Sequence, residues 1–255
     1  MRNPKIVGSC LAAMFAVGMV AVASASAEET KSAYFVQCRK VTSGGQWKNE
    51  QCSEGQSGGG YETKAPPTTG EETIGLASGP ELLVTTNEQE IECQSLTASG
   101  QLSGSKGIAK MSATFKGCSD ITLGVECQNG AAEEIKSKEL KGTLGRLEAT
   151  SHKAGLALEP VTVEGPIAEF TCHLLTGTKV KVKGAMLGEI EKVNTMATKN
   201  NLIFEQAGGV AKWTKLLSGV RYALQTSISN SSYVESALEG VDEVHNNHYL
   251  EILSP

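Results

Sequence analysis

The fold class is decided by a stretch in which apolar and polar side chains alternate: KMSATFK, residues 110–116. Met111, Ala113 and Phe115 fall on one face of this stretch, and the polar side chains fall on the other. Successive side chains of a β-strand point to opposite faces of its sheet, so the period of two predicts a strand with one buried face. Half-buried strands of this kind are typical of antiparallel sheets.

The same period recurs along the second part of the chain. Alternating segments occur at residues 168–174, 179–183 and 222–228, and glycines rather than prolines separate them. Many short strands divided by glycine turns predict a mainly β protein, an antiparallel sandwich or barrel. One segment, residues 131–140, stays open between helix and strand. Two of its charged side chains have the spacing of a helical ion pair, but its apolar residues form no helical stripe.

The first 27 residues predict a signal peptide. A short basic start at residues 1–5 precedes an apolar run at 6–23 and small residues at 24–27 in the Ala-x-Ala pattern that signal peptidase cleaves. The apolar run is near the lower length limit for a membrane span, but it consists mainly of Ala, Gly and Val and ends in the cleavage site. We therefore expect an extracellular protein with no membrane span after cleavage, and association with the cell wall stays open.

Six cysteines remain once Cys10 is removed with the signal peptide, and an even number in an exported protein predicts a disulfide framework. Two of them lie alone in the N-terminal part, two flank a short glycine-containing segment suited to a hairpin, and two end strand-like runs. The expected pairs are Cys38–Cys52, Cys118–Cys127 and Cys93–Cys172. No Cys-x-x-Cys occurs and no histidine stands at ligand spacing to a cysteine pair, so no metal or cofactor is expected.

Composition divides the chain into three parts. The signal peptide at 1–27 is followed by a small module at 28–73, which holds Cys38, Cys52 and a Gly/Pro-rich linker. Residues 74–255 are denser in apolar side chains, and we expect them to form one antiparallel β domain.

The charge balance excludes several partners. The chain has 23 basic and 28 acidic residues, a net charge of −5, and loss of Arg2 and Lys5 with the signal peptide makes this about −7. An acidic protein is a poor match for nucleic acid or for an anionic membrane surface. Only Asp120 and Asp242 are aspartates, which excludes Asp-rich calcium loops. The expected partner is a cell-wall polymer or an extracellular protein, and the oligomeric state stays open.

Five side chains are weak candidates for ligand contact: Lys179, Lys181, Lys183, Trp47 and Trp213. The three lysines share one face of a predicted strand. They indicate either a contact for an acidic polymer or a solvated or edge strand on which lysines prevent further pairing. The tryptophans are the only strong candidates for stacking on a sugar, since aromatic residues make up 5% of the chain.

No catalytic constellation emerges from the sequence. Residues 55–59 match the Gly-x-Ser-x-Gly pattern of a nucleophile turn, but glycines and a linker follow where that chemistry needs a helix. His245 and His248 would face opposite sides of a strand, and the asparagines between them predict a turn joining two strands. Glutamates are too numerous for one glycoside-hydrolase acid pair to be singled out. Those considered are Glu71, Glu72, Glu133, Glu134, Glu189, Glu191 and Glu205.

A set of short motifs accompanies the cysteines. They are YFVQCRKV (34–41), GGQW (44–47), Cys52, YE (61–62), IEC (91–93), FKGC (115–118), EFTC (169–172) and VKVKG (180–184). The arrangement resembles a group of exported, β-rich proteins of high-GC soil bacteria. The likeness covers most of the chain after the signal peptide, and the cysteine positions are its most specific part. The resemblance implies export and disulfide bonding, and it implies no activity, ligand or catalytic residue.

We therefore expect a non-catalytic extracellular β protein that acts as a binding or cell-envelope module. The missing catalytic pattern, the low aromatic content and the strand-dominated sequence support this expectation. The alternative is a secreted hydrolase that acts on a polysaccharide or peptide with glutamates as acid and base. A secreted inhibitor also fits the disulfides, although no reactive loop is recognisable.

Overall fold

The computed structural model describes residues 32–68, 73–162, 165–173 and 177–255. The predicted signal peptide, with Cys10, lies outside these ranges, as does part of the predicted linker. Within them every helix or strand assigned is a β-strand, which confirms the predicted mainly β class. No helix of the described residues is long and apolar enough to cross a membrane.

Eighteen strands are found in this part of the chain. Their bounds are β1 Tyr34–Trp47, β2 Gly55–Lys64, β3 Thr73–Ser78, β4 Glu81–Thr85, β5 Glu90–Ser103, β6 Gly107–Asp120, β7 Val125–Gln128, β8 Glu134–Lys136, β9 Leu140–Arg146, β10 Ala154–Pro160, β11 Ala168–Cys172, β12 Thr178–Gly184, β13 Met186–Ile190, β14 Ala197–Phe204, β15 Gln206–Ala207, β16 Val210–Ala211, β17 Leu224–Ile228 and β18 Val234–Leu253. The longest, β18, has 20 residues.

Sixteen of the strands form one antiparallel sheet, and this sheet closes on itself. β18 pairs with β3 and β4 along one side and with β14 and β17 along the other. Because both directions around the sheet meet on β18, the wall is continuous, and the fold is a barrel rather than a sandwich. The two remaining strands, β15 and β16, form a separate short ribbon.

Eight positions surround the barrel interior, and the chain visits them in order. Some positions hold one long strand and others hold two shorter strands in line. The order is β3/β4, β5, β6, β8/β9, β10/β11, β12/β13, β14/β17 and β18, with β7 between the ends of β6 and β11. Neighbours in sequence are therefore neighbours in space, which allows short connections. A barrel of eight strands is just wide enough to be filled by side chains or to hold one small ligand.

Strand β6 shows how the alternating sequence builds the wall. Met111 and Ala113 are buried in the interior, and Phe115 packs against the same core, as predicted. Gly117 has a φ of +64°, a conformation that glycine adopts without strain. This irregularity turns Cys118 to the interior as well, although it is three residues from Phe115 and strict alternation would place it outside.

The segment at residues 131–140, which the sequence left open, contains strand β8. Ile135 faces the core with 4% of its surface exposed. The Glu134 carboxylate lies 3.6 Å from the Lys136 ammonium, two residues along on the same face of the strand. Pairing with β6 therefore determines the local structure of this segment, which is a strand. The two charged side chains with helical spacing consequently do not lie on a helix.

The described cysteines form three disulfides, and two of the predicted pairs are wrong. Cys38–Cys52 is confirmed, with its Cα atoms 5.7 Å apart. The other two bonds join Cys93 to Cys118 and Cys127 to Cys172. The predicted pairs Cys118–Cys127 and Cys93–Cys172 are therefore corrected.

The reason for the correction is that these four cysteines lie in one row across β5, β6, β7 and β11. Cys93 is opposite Cys118, and Cys127 is opposite Cys172. The β6–β7 register, continued by one residue, places Cys118 opposite Cys127 as well. Neighbouring strands lie about 4.8 Å apart, so a Cys118–Cys127 bond would leave the outer two cysteines roughly 14 Å apart. A disulfide spans at most about 7 Å between Cα atoms. All four cysteines can therefore be bonded only if each outer cysteine pairs with its neighbour in the row, Cys93 with Cys118 and Cys172 with Cys127.

The N-terminal hairpin is joined to the barrel by its first strand. Tyr34 to Gln37 of β1 pair with the end of β18, and Phe35 is buried in the barrel core. The remainder of β1 forms a hairpin with β2, which the Cys38–Cys52 bond closes. The hairpin is therefore continuous with the main sheet.

The row of cysteines leads to a prediction for peptide mapping. Digestion of the denatured, non-reduced protein with trypsin and a glutamate-specific protease cuts at Glu126, between Cys118 and Cys127. We expect mass spectrometry to find Cys93 linked to Cys118 and, separately, Cys127 linked to Cys172, with both links lost on reduction. A peptide pair that links Cys118 to Cys127 would contradict the row pairing.

Candidate functional site

A cavity of ≈ 80 Å³ lies in the barrel interior. Apolar side chains form nearly all of its wall, among them Leu83, Ala113, Phe170, Val182 and Leu224. The polar exceptions are Ser137 and two acids, Glu81 and Asp242, each of which brings a carboxyl group to the wall. An apolar cavity with a few convergent polar groups is the usual form of a small-molecule site.

Glu81 reaches the interior because the sheet is interrupted beside it. Gly79 and Pro80 separate β3 from β4. Ser78, the last residue of β3, lies opposite Asp242 and faces inward with it. Glu81 is three residues after Ser78, so strict alternation would turn its side chain outward. The two-residue break resets the alternation, so Ser78 and Glu81 both face the interior.

Gly240 provides the space for the Glu81 carboxyl. It lies two residues before Asp242 on β18 and therefore on the same inward face. A Cβ atom at this position would overlap the Glu81 carboxyl group. The absence of a side chain at Gly240 thus lets both carboxyls occupy adjoining places on the wall.

Burial dominates the electrostatics of the Glu81–Asp242 pair. Each residue has 2% of its surface exposed. Burial, followed by the negative charge of Asp242, raises the pKa of Glu81 to about 9. Burial also raises the pKa of Asp242 to about 6, although hydrogen bonds from Ser78 and Glu81 act in the opposite direction. At pH 7 the pair therefore shares one proton and carries one negative charge.

The pair lacks both a counter-charge and a full set of hydrogen bonds. In the described ranges, no lysine, arginine or histidine acts on the pKa of either carboxyl. Oε1 of Glu81 and Oδ1 of Asp242 are buried and accept no hydrogen bond. Buried polar atoms without partners are rare in folded proteins, since each is costly to remove from water.

A groove of ≈ 670 Å³ lies on the outer side of the same wall. Its floor contains Gly79, Pro80 and Gly240, and Phe204 borders both the groove and the interior cavity. Three glutamates and several apolar side chains form its sides. They are Glu92, Glu205, Glu239, Leu82, Ile121, Ile203 and Val241. The groove thus shares Phe204 with the cavity, and its residue Gly240 lies against the Glu81 carboxyl.

The lysines predicted as ligand contacts lie outside this site, on β12. That strand pairs with β11 on one side and β17 on the other, so the edge-strand interpretation is wrong. Lys181 donates a 3.3 Å hydrogen bond to Asn230. The Nζ atom of Lys183 lies 3.9 Å from the centre of the Tyr233 ring. Lys179 is exposed and is the member of this stripe most accessible to a polymer.

The two candidate tryptophans lie on different elements, and neither lines the cavity. The Trp47 side chain belongs to β1, and its Nε1 is buried without an acceptor. Trp213 follows β16 and donates a 2.8 Å hydrogen bond to Glu189. Lys153 lies above the Trp213 ring, 5.4 Å from its centroid. The Trp213 side chain therefore already interacts with two charged neighbours, Glu189 and Lys153.

The remaining sequence motifs do not assemble a catalytic site among the described residues. β18 runs without interruption through His245 and His248, so the predicted turn between them is wrong. His245 lies 2.7 Å from Glu243, and no group of three or more potential ligands in the described ranges is placed to hold a metal. Ser57 lies in strand β2 with no helix after it in those ranges.

Most of the glutamates considered as acid catalysts lie on the surface beside polar partners. Glu134, Glu189 and Glu205 pair with lysines, and Glu191 accepts a hydrogen bond from Asn201. Glu71 and Glu72 lie outside the described residues. The two carboxyls that the barrel brings together are not singled out by the sequence pattern. The available signal was an aspartate two residues before Val244, on the apolar face of an alternating strand.

No protein-family model, no curated protein and no solved structure matches this chain. The function must therefore be argued from the geometry of the barrel itself.

The carboxyl pair predicts how stability depends on pH. A carboxyl whose pKa is higher in the folded than in the unfolded protein binds its proton more tightly when folded, so stability falls as pH rises. For Glu81 this range extends from 4.5 to about 9. Between pH 6 and 8 we expect the free energy of unfolding to fall by roughly 1 kcal/mol per pH unit from this one proton. Urea unfolding at several pH values measures the slope.

Glu81→Gln is the decisive variant in this experiment. It keeps the shape of the side chain but cannot ionise, so its unfolding free energy should lose most of this slope. Glu54→Gln, at a surface ion pair with Lys48, is the matched control and should keep the wild-type slope. Equal slopes for wild type and Glu81→Gln would show that the buried pair does not control the pH dependence.

Proposed function

We propose that this protein is a non-catalytic extracellular binding protein that holds a small, mainly apolar molecule inside its barrel. The observation that carries the proposal is the interior cavity of ≈ 80 Å³, whose apolar wall ends in two carboxyls with unpartnered oxygens. One water needs about 10–15 Å³ of such space, so the cavity is several times larger than a packing defect. A ligand would bury its apolar surface there and gain the hydrophobic free energy of transfer.

Export forms the second part of the proposal. Three disulfides indicate an oxidising, extracellular-type environment. We expect cleavage after Ala27, so N-terminal sequencing of the protein from a secreting host should begin at Glu28. A mature protein that retains residues 1–27 would contradict this prediction.

Association with an acidic cell-wall polymer or an extracellular protein stays within the proposal as a surface function. The exposed Lys179 and the neighbouring Lys181 and Lys183 on β12 support a polymer contact. Retention of the purified protein on isolated cell wall, and release by salt, tests this part independently of the cavity.

A secreted hydrolase is the alternative proposal, and the Glu81–Asp242 pair is the observation that favours it. One protonated and one ionised carboxyl is the division of roles between general acid and base. Binding is better supported because a polymer does not fit a cavity of ≈ 80 Å³ and both carboxyls are almost fully buried. Hydrolysis of pooled glycans or peptides that is lost in Asp242→Asn would favour the hydrolase.

The binding function is tested by filling the cavity. Xenon and benzene are suitable probes, because both enter dry apolar cavities. We expect them to shift the methyl NMR signals of wall residues such as Leu83 and Val182. Ala113→Leu, which fills the cavity from β6, should weaken benzene binding at least tenfold.

Ala77→Leu is the matched control, since it makes the same substitution at an exposed position of β3. It should bind benzene as the wild type does. The absence of any probe-induced shift at wall residues of the folded wild type would overturn the proposed function.

A further inference from the structure

We infer that the barrel selects a small alkylammonium compound, whose cationic head contacts Glu81 and Asp242 and whose alkyl part fills the cavity. This inference rests on the proposed binding function and specifies the chemistry of its ligand. Three features of the site support it: the unpartnered oxygens, the missing counter-charge and the acidic groove outside.

The hydrogen-bonding capacity of the pair calls for a donor. Oε1 of Glu81 and Oδ1 of Asp242 are buried acceptors with no donor. Gly240 beside them contributes no side chain, and Ser78 already bonds to the pair. A primary ammonium group carries three N–H donors and no acceptor. It can therefore donate a hydrogen bond to Oε1 of Glu81 and to Oδ1 of Asp242 at the same time.

The charge of the pair favours a cation over a neutral donor. No cationic side chain of the described residues acts on Glu81 or Asp242. A buried carboxylate without a counter-charge is unfavourable, and a charge-assisted hydrogen bond is about twice as strong as a neutral one. An alcohol has a single O–H donor for the two oxygens and leaves the charge unbalanced, whereas an ammonium group donates to both oxygens and supplies the counter-charge.

The surroundings of the pair match the two ends of such a ligand. On the interior side the wall is mainly apolar and includes Leu83, Phe204 and Leu238. On the outer side the groove carries Glu92, Glu205 and Glu239, of which Glu205 pairs with Lys212. Negative clefts concentrate cations. The groove therefore gathers ammonium compounds next to Gly240, which lies against the Glu81 carboxyl.

Isothermal titration at pH 7.5 with three probes of the same length tests the inference. n-Butylammonium should bind the wild-type protein at least tenfold more tightly than 1-butanol, and butyrate should not bind. Methylammonium, which lacks the alkyl part, should bind at least tenfold more weakly than n-butylammonium. In the double variant Glu81→Gln/Asp242→Asn the preference for n-butylammonium over 1-butanol should disappear.

Glu54→Gln serves as the control and should keep the wild-type preference, while circular dichroism confirms that each variant is folded. If 1-butanol binds as tightly as n-butylammonium, the charge selection is wrong and the proposed binding function stands. Equal binding of methylammonium and n-butylammonium would overturn the role of the cavity in this inference. If the butyl probes, xenon and benzene all fail to bind, the proposed function fails together with the inference.

Discussion

The structure depends on the hydrogen bonding of one strand, β18, which closes the sheet. Its 20 residues pair with β1, β3, β4, β14 and β17. A sheet left open at this position would expose a row of unpaired backbone groups and one side of its apolar core. Closure removes both from water, and the interior cavity exists only because the wall is complete. The same strand carries Gly240 and Asp242, so it also forms the polar end of the cavity.

The buried carboxyl pair is the most costly departure from the rule that a barrel interior is apolar, because it brings a charge into the interior. Most of the remaining barrel interior is filled by apolar side chains, and the amides of Asn200 and Asn246 are further polar groups buried in it. Glu81 and Asp242 together oppose folding at neutral pH, because one negative charge stays in a site with little access to water. The apolar core and the disulfides supply the stability that tolerates them. Departures of this kind are expected at functional sites, and here the carboxyl pair coincides with the cavity and with the groove residue Gly240.

Local pattern predicted the wall of the barrel well and the carboxyl pair at its cavity hardly at all. The alternation at residues 110–116 indicated which side chains of β6 enter the core, and the spacing around Cys38 and Cys52 indicated their bond. The helical charge spacing at 131–140 and the asparagines at 246–247 were misleading, since pairing with neighbouring strands overrides weak local preferences. Glu81 escaped notice because its inward direction depends on a two-residue break, and alternation cannot predict where a break resets the count.

The sequence by itself determined the period of two, the acidic charge and an even set of cysteines after residue 27. These properties are local or additive, so they can be read without knowing which segments meet. Tertiary structure alone decided that the sheet closes, that four cysteines form one row and that two carboxyls share a cavity. Each of these depends on the register between strands that are distant in the chain. Register is set by the hydrogen bonds and packing of the whole barrel, because a shift of one residue would turn every side chain of a strand to the opposite face.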